Sequence, residues 1–351
     1  MPARYALRTP LRLLAGFVAA FLVLVLGAGV ARGSAVVFGN DPADTVRVGM
    51  IGLDTSHSTA FTRLINAPDA EGLFQRYEVV AAYPFGSRTI RSSYERIPGY
   101  TEEVREMGVE IVDSIPELLA MVDVVLLETN DGKPHREQAM QVIEAGKPLF
   151  IDKPVAADLA DVLAIYDAAE ETGVPLFSSS SLRYMEHAQD VRSGSIGSVR
   201  GAFTYSPAAL EPSHVDLYWY GIHGVEALFT VMGSGCARVV RTFSDGAEVT
   251  TCRWADGRIG TFYGIREGRS DYGGTAFGDS AVVALGPYGG YEPLVEAILA
   301  FFETGTPPVP ARETIEIYAF MSAADESRRR GGAPVSLEEV IRAARAEASP
   351  E

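Results

Sequence analysis

VDVVLLETNDGKPHREQAMQVIEAGKPLFIDKP, residues 122–154, is the stretch that decides the fold of this chain. Its apolar run Val122–Leu127 is rich in β-branched residues and too short for a helix, which predicts a buried strand. After a polar turn, His135–Ala145 has the spacing of an amphipathic helix that ends at Gly146, and Pro148–Ile151 returns to strand. The order predicts a parallel strand pair joined by a crossover helix, with polar residues at the strand ends, where α/β sheets bind ligands.

The same alternation of strand and helix extends over residues 46–177. Further strands are predicted at Val46–Ile51, Tyr77–Ala82, Met107–Val112 and Val174–Phe177, and further helices at Thr59–Asn66, Ile115–Met121 and Ala157–Thr172. We therefore expect an α/β domain with a Rossmann-type doubly wound parallel sheet.

Residues 178–345 follow a different pattern and are predicted to form a second, α+β domain. Short strands separated by Gly, Asp and Pro turns favour an open, mostly antiparallel sheet. They are predicted at Arg200–Ser206, Ala237–Phe243, Glu248–Trp254, Gly260–Ile265 and Ser280–Leu285, with helices at Pro293–Glu303 and Ile315–Arg328. The pair Asp256-Gly257 is a hairpin signal, and the polar residues at the carboxyl terminus are expected to fray.

Several landmarks, in this order, resemble the Gfo/Idh/MocA family of NAD(P)-dependent sugar and polyol oxidoreductases. They are His135 after the strand and turn, the segment EAGK at 144–147, Asp152-Lys153-Pro154, Leu182-Arg183-Tyr184, SIGSVR at 195–200 and Gly221-Ile222-His223. The resemblance runs from Val46 to about Leu337. It implies an NAD or NADP cofactor, a small carbohydrate substrate, and a homo-oligomer formed through the exposed face of the second sheet.

The resemblance assigns the catalytic roles to Lys153 and His223. Pro154 restricts Lys153 to an extended backbone, and Lys153 would polarise the substrate hydroxyl while His223 relays its proton. Taken alone, the lysine is equally typical of a strand end paired with Asp152, and the histidine of a helix core.

The usual acid four residues before His223 is replaced by Trp219. Asp216 is the nearest acid that could substitute for it. Glu226, one turn after His223, is positioned to orient the imidazole.

The nucleotide-binding turn after the first strand departs from the expected G-x-G-x-x-G. Gly52 is kept, but Asp54 and His57 stand at the second and third glycines. Asp54 either caps the following helix or belongs to an altered site, since its carboxylate would repel a phosphate by a few kcal/mol. His57 and Ser58 can still donate to an anion at the helix start.

Other cofactor contacts follow from the strand ends. The second strand ends in Tyr83-Pro84 without the acid that holds the adenosine ribose. Ser87 and Arg88 would instead hold a 2′-phosphate and favour NADP, unless Arg88 is a solvated loop residue. The resemblance places Thr129 and Asn130 beside the ribose, His135 at the nicotinamide end, and Asp152 in the same site.

Substrate contacts are expected at the start of the second domain. The resemblance gives this role to Arg183 and Tyr184. Trp219 and Tyr220 offer flat faces on which a sugar ring can stack, although core packing explains some aromatic residues in this region equally well.

The amino terminus has the pattern of an export signal. Arg4, Arg8 and Arg12 precede the uncharged Leu13–Val30, and small residues follow up to Ala35. We favour a signal peptide over residues 1–35, which places the protein in the periplasm or outside the cell. The alternative is a membrane anchor at residues 13–30, the only membrane contact expected.

Charge and cysteine usage exclude some classes of function. The net charge of −16 argues against nucleic acid as a partner. Cys236 and Cys252 lie sixteen residues apart; a bridge is open, but two buried free thiols are favoured. The histidines and cysteines lack zinc-type spacing, so no metal site is predicted.

We therefore expect an NAD(P)-dependent oxidoreductase that takes hydride from a sugar or polyol hydroxyl. Two alternatives stay open. One is a glycoside hydrolase or lyase that oxidises its substrate transiently with bound NAD. The other is a non-catalytic sugar-binding protein on a dehydrogenase scaffold, favoured by Asp54, Pro84 and Trp219.

Overall fold

A six-stranded parallel sheet forms the amino-terminal half. The computed structural model describes residues 45–348, so the predicted leader at residues 1–35 lies outside the described part. The strands are β1 (Val46–Ile51), β2 (Tyr77–Tyr83), β3 (Glu110–Ile111), β4 (Val124–Leu127), β5 (Leu149–Ile151) and β6 (Leu176–Ser178). Their order is β3-β2-β1-β4-β5-β6, which places the reversal of winding between β1 and β4.

Helices cover both faces of this sheet, so its strands can be apolar on both sides. The four residues of β4 are all buried. The helices are α1 (Ser56–Ile65), α2 (Arg91–Tyr94), α3 (Ile97–Glu106), α4 (Ile115–Met121), α5 (His135–Glu144) and α6 (Leu159–Thr172). Local sequence fixes the ends of α6, because the Asp158 side chain accepts from the Asp161 backbone N–H and Gly173 ends the helix at φ +73°.

The second sheet has seven strands and is mostly antiparallel. Its strands are β7 (Val199–Pro207), β8 (Cys236–Phe243), β9 (Ala247–Trp254), β10 (Ile259–Ile265), β11 (Gly273–Gly278), β12 (Val282–Leu285) and β13 (Val335–Ser336). Their order is β12-β11-β7-β10-β9-β8-β13. The β7–β10 pair is parallel. The predicted fold class is confirmed.

Six helices complete the second half. They are α7 (Ala188–Arg192), α8 (Asp216–Trp219), α9 (Ile222–Met232), α10 (Glu292–Thr304), α11 (Ala311–Arg329) and α12 (Leu337–Ala348). Every residue of α9 is buried. Gly224 lets this helix approach the sheet closely, since a Cβ there would lie 2.4 Å from the Phe262 ring. Among the described residues, no helix combines the length and apolar character needed to cross a membrane.

Five elements of the second half were not predicted: α7, α8, β11, β13 and α12. Strand β11 reads Gly-Gly-Thr-Ala-Phe-Gly, and glycine is depleted in strands, so propensity gave no signal there. The polar carboxyl terminus was expected to fray, but residues 337–348 form a helix; residues 349–351 lie outside the described part. Helix α12 packs Val340 and Ile341 against the core, and Arg345 pairs with Asp167 at 2.7 Å.

The two cysteines form a disulfide, so the favoured prediction of two free thiols was wrong. Cys236 lies on β8 and Cys252 on β9, with Cα atoms 6.0 Å apart. The strands are antiparallel neighbours with a register shift between Cys236 and Arg238. The sequence shows that the two cysteines are sixteen residues apart. Only the register of the β8–β9 pair shows that their sulfur atoms are close enough to bond.

Replacing both cysteines by alanine should lower the free energy of unfolding by about 3 kcal/mol, because a bridge across sixteen residues restricts the unfolded chain by that amount. Urea unfolding followed by tryptophan fluorescence measures the change. Wild-type protein unfolded without reductant should titrate no thiol. Two thiols in that titration would contradict the bridge.

Candidate functional site

A cavity of about 370 Å³ lies at the carboxyl edge of the first sheet, where residues of the second half close over it. Both halves of the chain supply its walls. The lining residues are Thr55, Ser56, His57, Ser92, Arg96, Asn130, Lys153, Ser181, Leu182, Trp219, Tyr220, His223, Tyr272, Tyr288 and Tyr291. The set contains cationic, hydroxyl and aromatic side chains and no carboxylate.

Lys153 and His223 face this cavity from opposite domains. Lys153 follows β5, is 8% exposed, and has its Nζ 3.7 Å from Asp152 Oδ2. His223 stands in the first turn of α9. Burial lowers the pKa of His223 well below its usual value, and the charges of Lys153 and His57 lower it further. The imidazole is therefore neutral near pH 7 and can accept a proton.

Ser180 orients the imidazole, and neither of the predicted acids does. Its Oγ lies 2.7 Å from His223 Nδ1, which leaves Nε2 as the remaining ring nitrogen. Glu226 instead accepts from Arg183 Nε at 2.7 Å and from Ser179 Oγ at 3.0 Å. The prediction that Glu226 positions His223 was therefore wrong.

Asp216 also serves a structural role rather than replacing the missing acid. Its carboxylate lies 2.7 Å from Arg241 Nη2 and 2.5 Å from Arg328 Nη1. Arg241 is fully buried and pairs with Glu248 as well. This network connects α8, whose last residue is Trp219, to the second sheet and to α11.

Asp54 fills the crevice between the loops that follow β2 and β4. It is fully buried, and its carboxylate accepts from the backbone N–H of Ser87 at 2.7 Å and of Asn130 at 2.8 Å. Burial raises the pKa of Asp54 to about 6, although these two hydrogen bonds oppose the shift. The contact is tight, since a Cβ on Gly86 would lie 2.6 Å from the carboxylate.

We call Asp54, together with the loop residues Ser87 and Asn130 that it contacts, the Asp54 wall, and further contacts reinforce it. Ser87 Oγ donates to Asp131 at 2.7 Å, and the Asn130 side chain donates to Ser93 at 2.9 Å. The helix-cap interpretation of Asp54 was wrong, because Thr55 supplies the side-chain cap of α1. Asp54 instead joins two loops across the carboxyl end of β1.

Gly52, Thr129 and His135 hold the neighbouring loops together. Gly52 has φ +96°, and a Cβ there would lie 2.4 Å from the Thr129 backbone nitrogen. Thr129 and His135 are fully buried. The His135 ring lies 2.6 Å from Thr129 O and 3.2 Å from Val155 O. The His135 ring nitrogens thus contact backbone carbonyls of the chain itself, and the contacts of Thr129 with ribose and of His135 with nicotinamide stay predictions.

Arg88 does not line the cavity that contains Lys153 and His223. It is exposed, stacks on Phe85 with its guanidinium 5.0 Å from the ring centroid, and lines a separate cavity of about 460 Å³. That cavity lies beside the ends of β2 and α5 and has no lining residue in common with the cavity of Lys153.

Of the predicted substrate contacts, the structure places two in the cavity and two outside it. Trp219 and Tyr220 line the cavity. Arg183 is 2% exposed and pairs with Glu226 and Glu313, so it cannot contact a substrate. Tyr184 packs instead against a buried apolar cluster formed by residues of β1, β2, α1 and α10. These two corrections share a cause, because ion pairs and packing far along the chain decide the direction of both side chains.

Several residues of the site were missed by the sequence reasoning. Glu128 directly follows β4, so the strand-end rule that selected Lys153 could have found it. Ser180 follows β6 in the same way. Tyr272, Tyr288 and Tyr291 come from loops of the second half, and no local signal marks them.

Comparison with known proteins confirms the resemblance over the first half. Residues 46–180 match the GFO_IDH_MocA family, described as an oxidoreductase family with an NAD-binding Rossmann fold.

Inositol dehydrogenases are among the curated relatives. Inositol 2-dehydrogenase 3 of Saccharopolyspora erythraea is 30% identical over 161 residues, which cover 44% of this chain and 42% of the relative. Inositol 2-dehydrogenase of Gluconacetobacter diazotrophicus is 34% identical over 95 residues, covering 25% of this chain and 28% of the relative. The chain thus spans less than half the length of these relatives.

Solved structures share the fold over a larger part of the chain. A probable dehydrogenase from Thermotoga maritima has a TM-score of 0.69 at 19% identity, covering 84% of this chain and 100% of that chain. Scyllo-inositol dehydrogenase from Lactobacillus casei, with bound NAD(H) and scyllo-inositol, has a TM-score of 0.65 at 14% identity with the same coverage. At these identities the likeness shows the fold.

The turn after β1 differs from the glycine-rich pattern of a dinucleotide site, although residues 46–180 match a family described as having an NAD-binding Rossmann fold. A Rossmann fold holds the diphosphate where the loop after β1 meets the crevice between β1 and β4. Here the Asp54 carboxylate lies at the carboxyl end of β1, between the loops that follow β2 and β4. The cavity near β2 and the cavity near β5 have no lining residue in common.

Asp54→Gly should bind NAD and NADP at least tenfold more tightly than the wild type. The change opens the wall and removes a charge that repels a phosphate 4 Å away by about 4 kcal/mol at an effective dielectric constant of 20. Titration followed by intrinsic fluorescence gives both dissociation constants.

Asp54→Asn removes the charge but keeps the size of the side chain, so it distinguishes repulsion from steric exclusion. Its affinity for NAD and NADP should rise less than that of Asp54→Gly. Asp69→Gly changes an exposed acid and should have no effect. Wild-type protein that binds either nucleotide as tightly as Asp54→Gly would contradict the role of the wall.

Proposed function

We propose that this chain, whose residues 46–180 match the Gfo/Idh/MocA oxidoreductases, is an enzyme that removes a proton from a hydroxyl of a bound sugar or polyol. The supporting observation is the placement of Lys153 and His223 on one enclosed cavity of about 370 Å³. This volume lies within the ordinary range for small-molecule sites. A monosaccharide or an inositol is of the right size.

The two side chains have complementary roles. The Lys153 ammonium donates to the substrate oxygen and stabilises negative charge as it develops. The neutral His223, held through Nδ1 by Ser180, accepts the hydroxyl proton at Nε2. The rings of Trp219 and Tyr220 provide faces for the apolar side of a sugar.

Charge favours a substrate that carries an anionic group. Lys153 and Arg96 are the basic side chains in the lining; Asp152 lies 3.7 Å from Lys153, whereas Arg96 forms no ion pair within the described residues. A sugar acid or a sugar phosphate therefore suits the cavity better than a neutral polyol.

Transfer of hydride to NAD or NADP would turn proton removal into oxidation. The family description and the relatives named as dehydrogenases favour it. The position of the Asp54 carboxylate at the carboxyl end of β1 is the one feature that opposes it. The comparisons give no support to a glycoside hydrolase or lyase, or to a non-catalytic sugar-binding protein.

Lys153→Ala should lower the rate of NAD(P)-linked oxidation of a bound sugar by at least about a hundredfold, because the ammonium no longer stabilises the negative charge that develops on the substrate oxygen. Near-ultraviolet circular dichroism checks that the variant folds. Candidate substrates are found by fluorescence titration with myo-inositol, glucose, gluconate and glucose 6-phosphate. Trp219 lies in the cavity and Trp254 is buried elsewhere, so Trp219→Phe should abolish the binding signal.

Lys147→Ala is the matched control, because Lys147 lies on the same segment, faces away from the cavity and bonds Val122 O. Full turnover by Lys153→Ala would rule out the assigned role. A sugar-dependent signal that persists in Trp219→Phe would place binding elsewhere.

We also propose that the protein is exported and forms a homo-oligomer. The sequence pattern of residues 1–35 supports export, and the Cys236–Cys252 bridge is typical of an oxidising compartment. Apolar side chains on the second sheet, among them Phe203, Ile259 and Val282, are exposed and could pack against another copy.

Expression of the full chain in a bacterial host should yield a soluble periplasmic protein that begins after Ala35, if the leader is cleaved. Mass spectrometry of the fractionated protein measures this. Full-length protein in the membrane fraction would favour an anchor at residues 13–30, and full-length protein in the cytoplasm would contradict export.

A further inference from the structure

Three side chains able to bind a metal ion meet at the edge of the cavity. His57 belongs to the first turn of α1, Glu128 directly follows β4, and Asp152 directly follows β5. One ligand atom from each lies within 4.8 Å of the others, and all three residues are buried. Because β1, β4 and β5 are neighbours in the sheet, their carboxyl ends bring these side chains together.

Three carboxylate oxygens of this cluster lack hydrogen-bond partners in residues 45–348. Among the described residues, neither oxygen of Glu128 accepts a hydrogen bond, and neither does Asp152 Oδ1. Glu128 is fully buried. His57 Nδ1 lies 2.7 Å from Asp152 Oδ2 without the geometry of a hydrogen bond. A buried carboxylate with two unpartnered oxygens is costly unless a cation binds it.

The protein's own cations do not supply this partner. Lys153 Nζ is 3.7 Å from Asp152, and within the described part of the chain no Lys, Arg or His nitrogen forms an ion pair with Glu128. Asp152 therefore has a nitrogen of His57 and of Lys153 within 4.0 Å, and Glu128 has neither within that distance.

We propose that His57, Glu128 and Asp152 bind one divalent transition-metal ion. An imidazole nitrogen and two carboxylates suit Zn²⁺ or Mn²⁺. Two ligand atoms of a tetrahedral ion with bonds of about 2.1 Å lie about 3.4 Å apart. Ligand atoms within 4.8 Å of one another thus need to approach by up to about 1.4 Å, which side-chain rotation can supply.

Three protein ligands leave coordination positions open. His57 and Lys153 line the cavity, so these positions face the volume in which a substrate would lie. The ion would supply Lewis acidity to an oxygen held there. The site goes beyond the hydroxyl chemistry proposed above and does not depend on it, because metal binding is measured without substrate.

The test is binding of Zn²⁺ and Mn²⁺ to full-length protein stripped with a chelator. Isothermal titration should show about one ion per chain, and either ion should raise the melting temperature, since a ligand specific for the folded state stabilises it. Glu128→Gln and His57→Ala should each weaken binding at least tenfold and lose the shift in melting temperature. Glu137→Gln makes the same change at an exposed position on α5 and should bind like the wild type.

Near-ultraviolet circular dichroism confirms that the variants fold. For a variant that does not fold, the wild type still decides: Co²⁺ should give a visible spectrum that Zn²⁺ abolishes. Absence of binding to the wild type would overturn the proposal. So would wild-type affinity in folded Glu128→Gln, which would place the ion elsewhere.

Discussion

The hydrogen bonds from the backbone N–H groups of Ser87 and Asn130 to the Asp54 carboxylate determine what this scaffold can bind. In a dinucleotide site, backbone N–H groups at this edge would face a phosphate. Here a carboxylate of the chain itself takes the place of the anion. The Asp54 carboxylate accepts hydrogen bonds from the backbone N–H groups of Ser87 and Asn130, which would otherwise be buried without a partner. The fold of a nucleotide-binding domain is thereby kept, with an acidic side chain in place of the second glycine of its nucleotide-binding turn.

The carboxyl ends of β1, β4 and β5 collect polar residues because parallel strands all end at the same edge. Each of these ends contributes a buried titratable group: His57, Glu128 or Asp152. Their charges influence one another strongly at this separation. Burial raises the pKa of Glu128 well above its usual value, and the charge of Asp152 raises it further. The edge is therefore a place where a bound cation or a bound substrate oxygen changes the charge state of several groups together.

The sequence predicted the fold because its signals are local. Strand β1 was predicted at its observed bounds, and helix α4 likewise, since apolar runs and turn residues mark both. Lys153 and His223 followed from the strand-end rule and the family resemblance, and they do share one cavity. The contacts that decide the chemistry are long-range, and the sequence does not show them. Arg183 is directed by Glu226 and Glu313, and Asp54 by Ser87 and Asn130, which lie 33 and 76 residues away.

The ion-pair network around Arg241 has a mechanical consequence. Asp216 begins the short helix α8, which carries Trp219 into the cavity, while its carboxylate is held by Arg241 on β8 and by Arg328 on α11. Strand β8 and helix α11 thus fix the position of α8, and with it the Trp219 ring that lines the cavity. The position of Trp219 therefore depends on charged residues of β8 and α11 that do not themselves line the cavity.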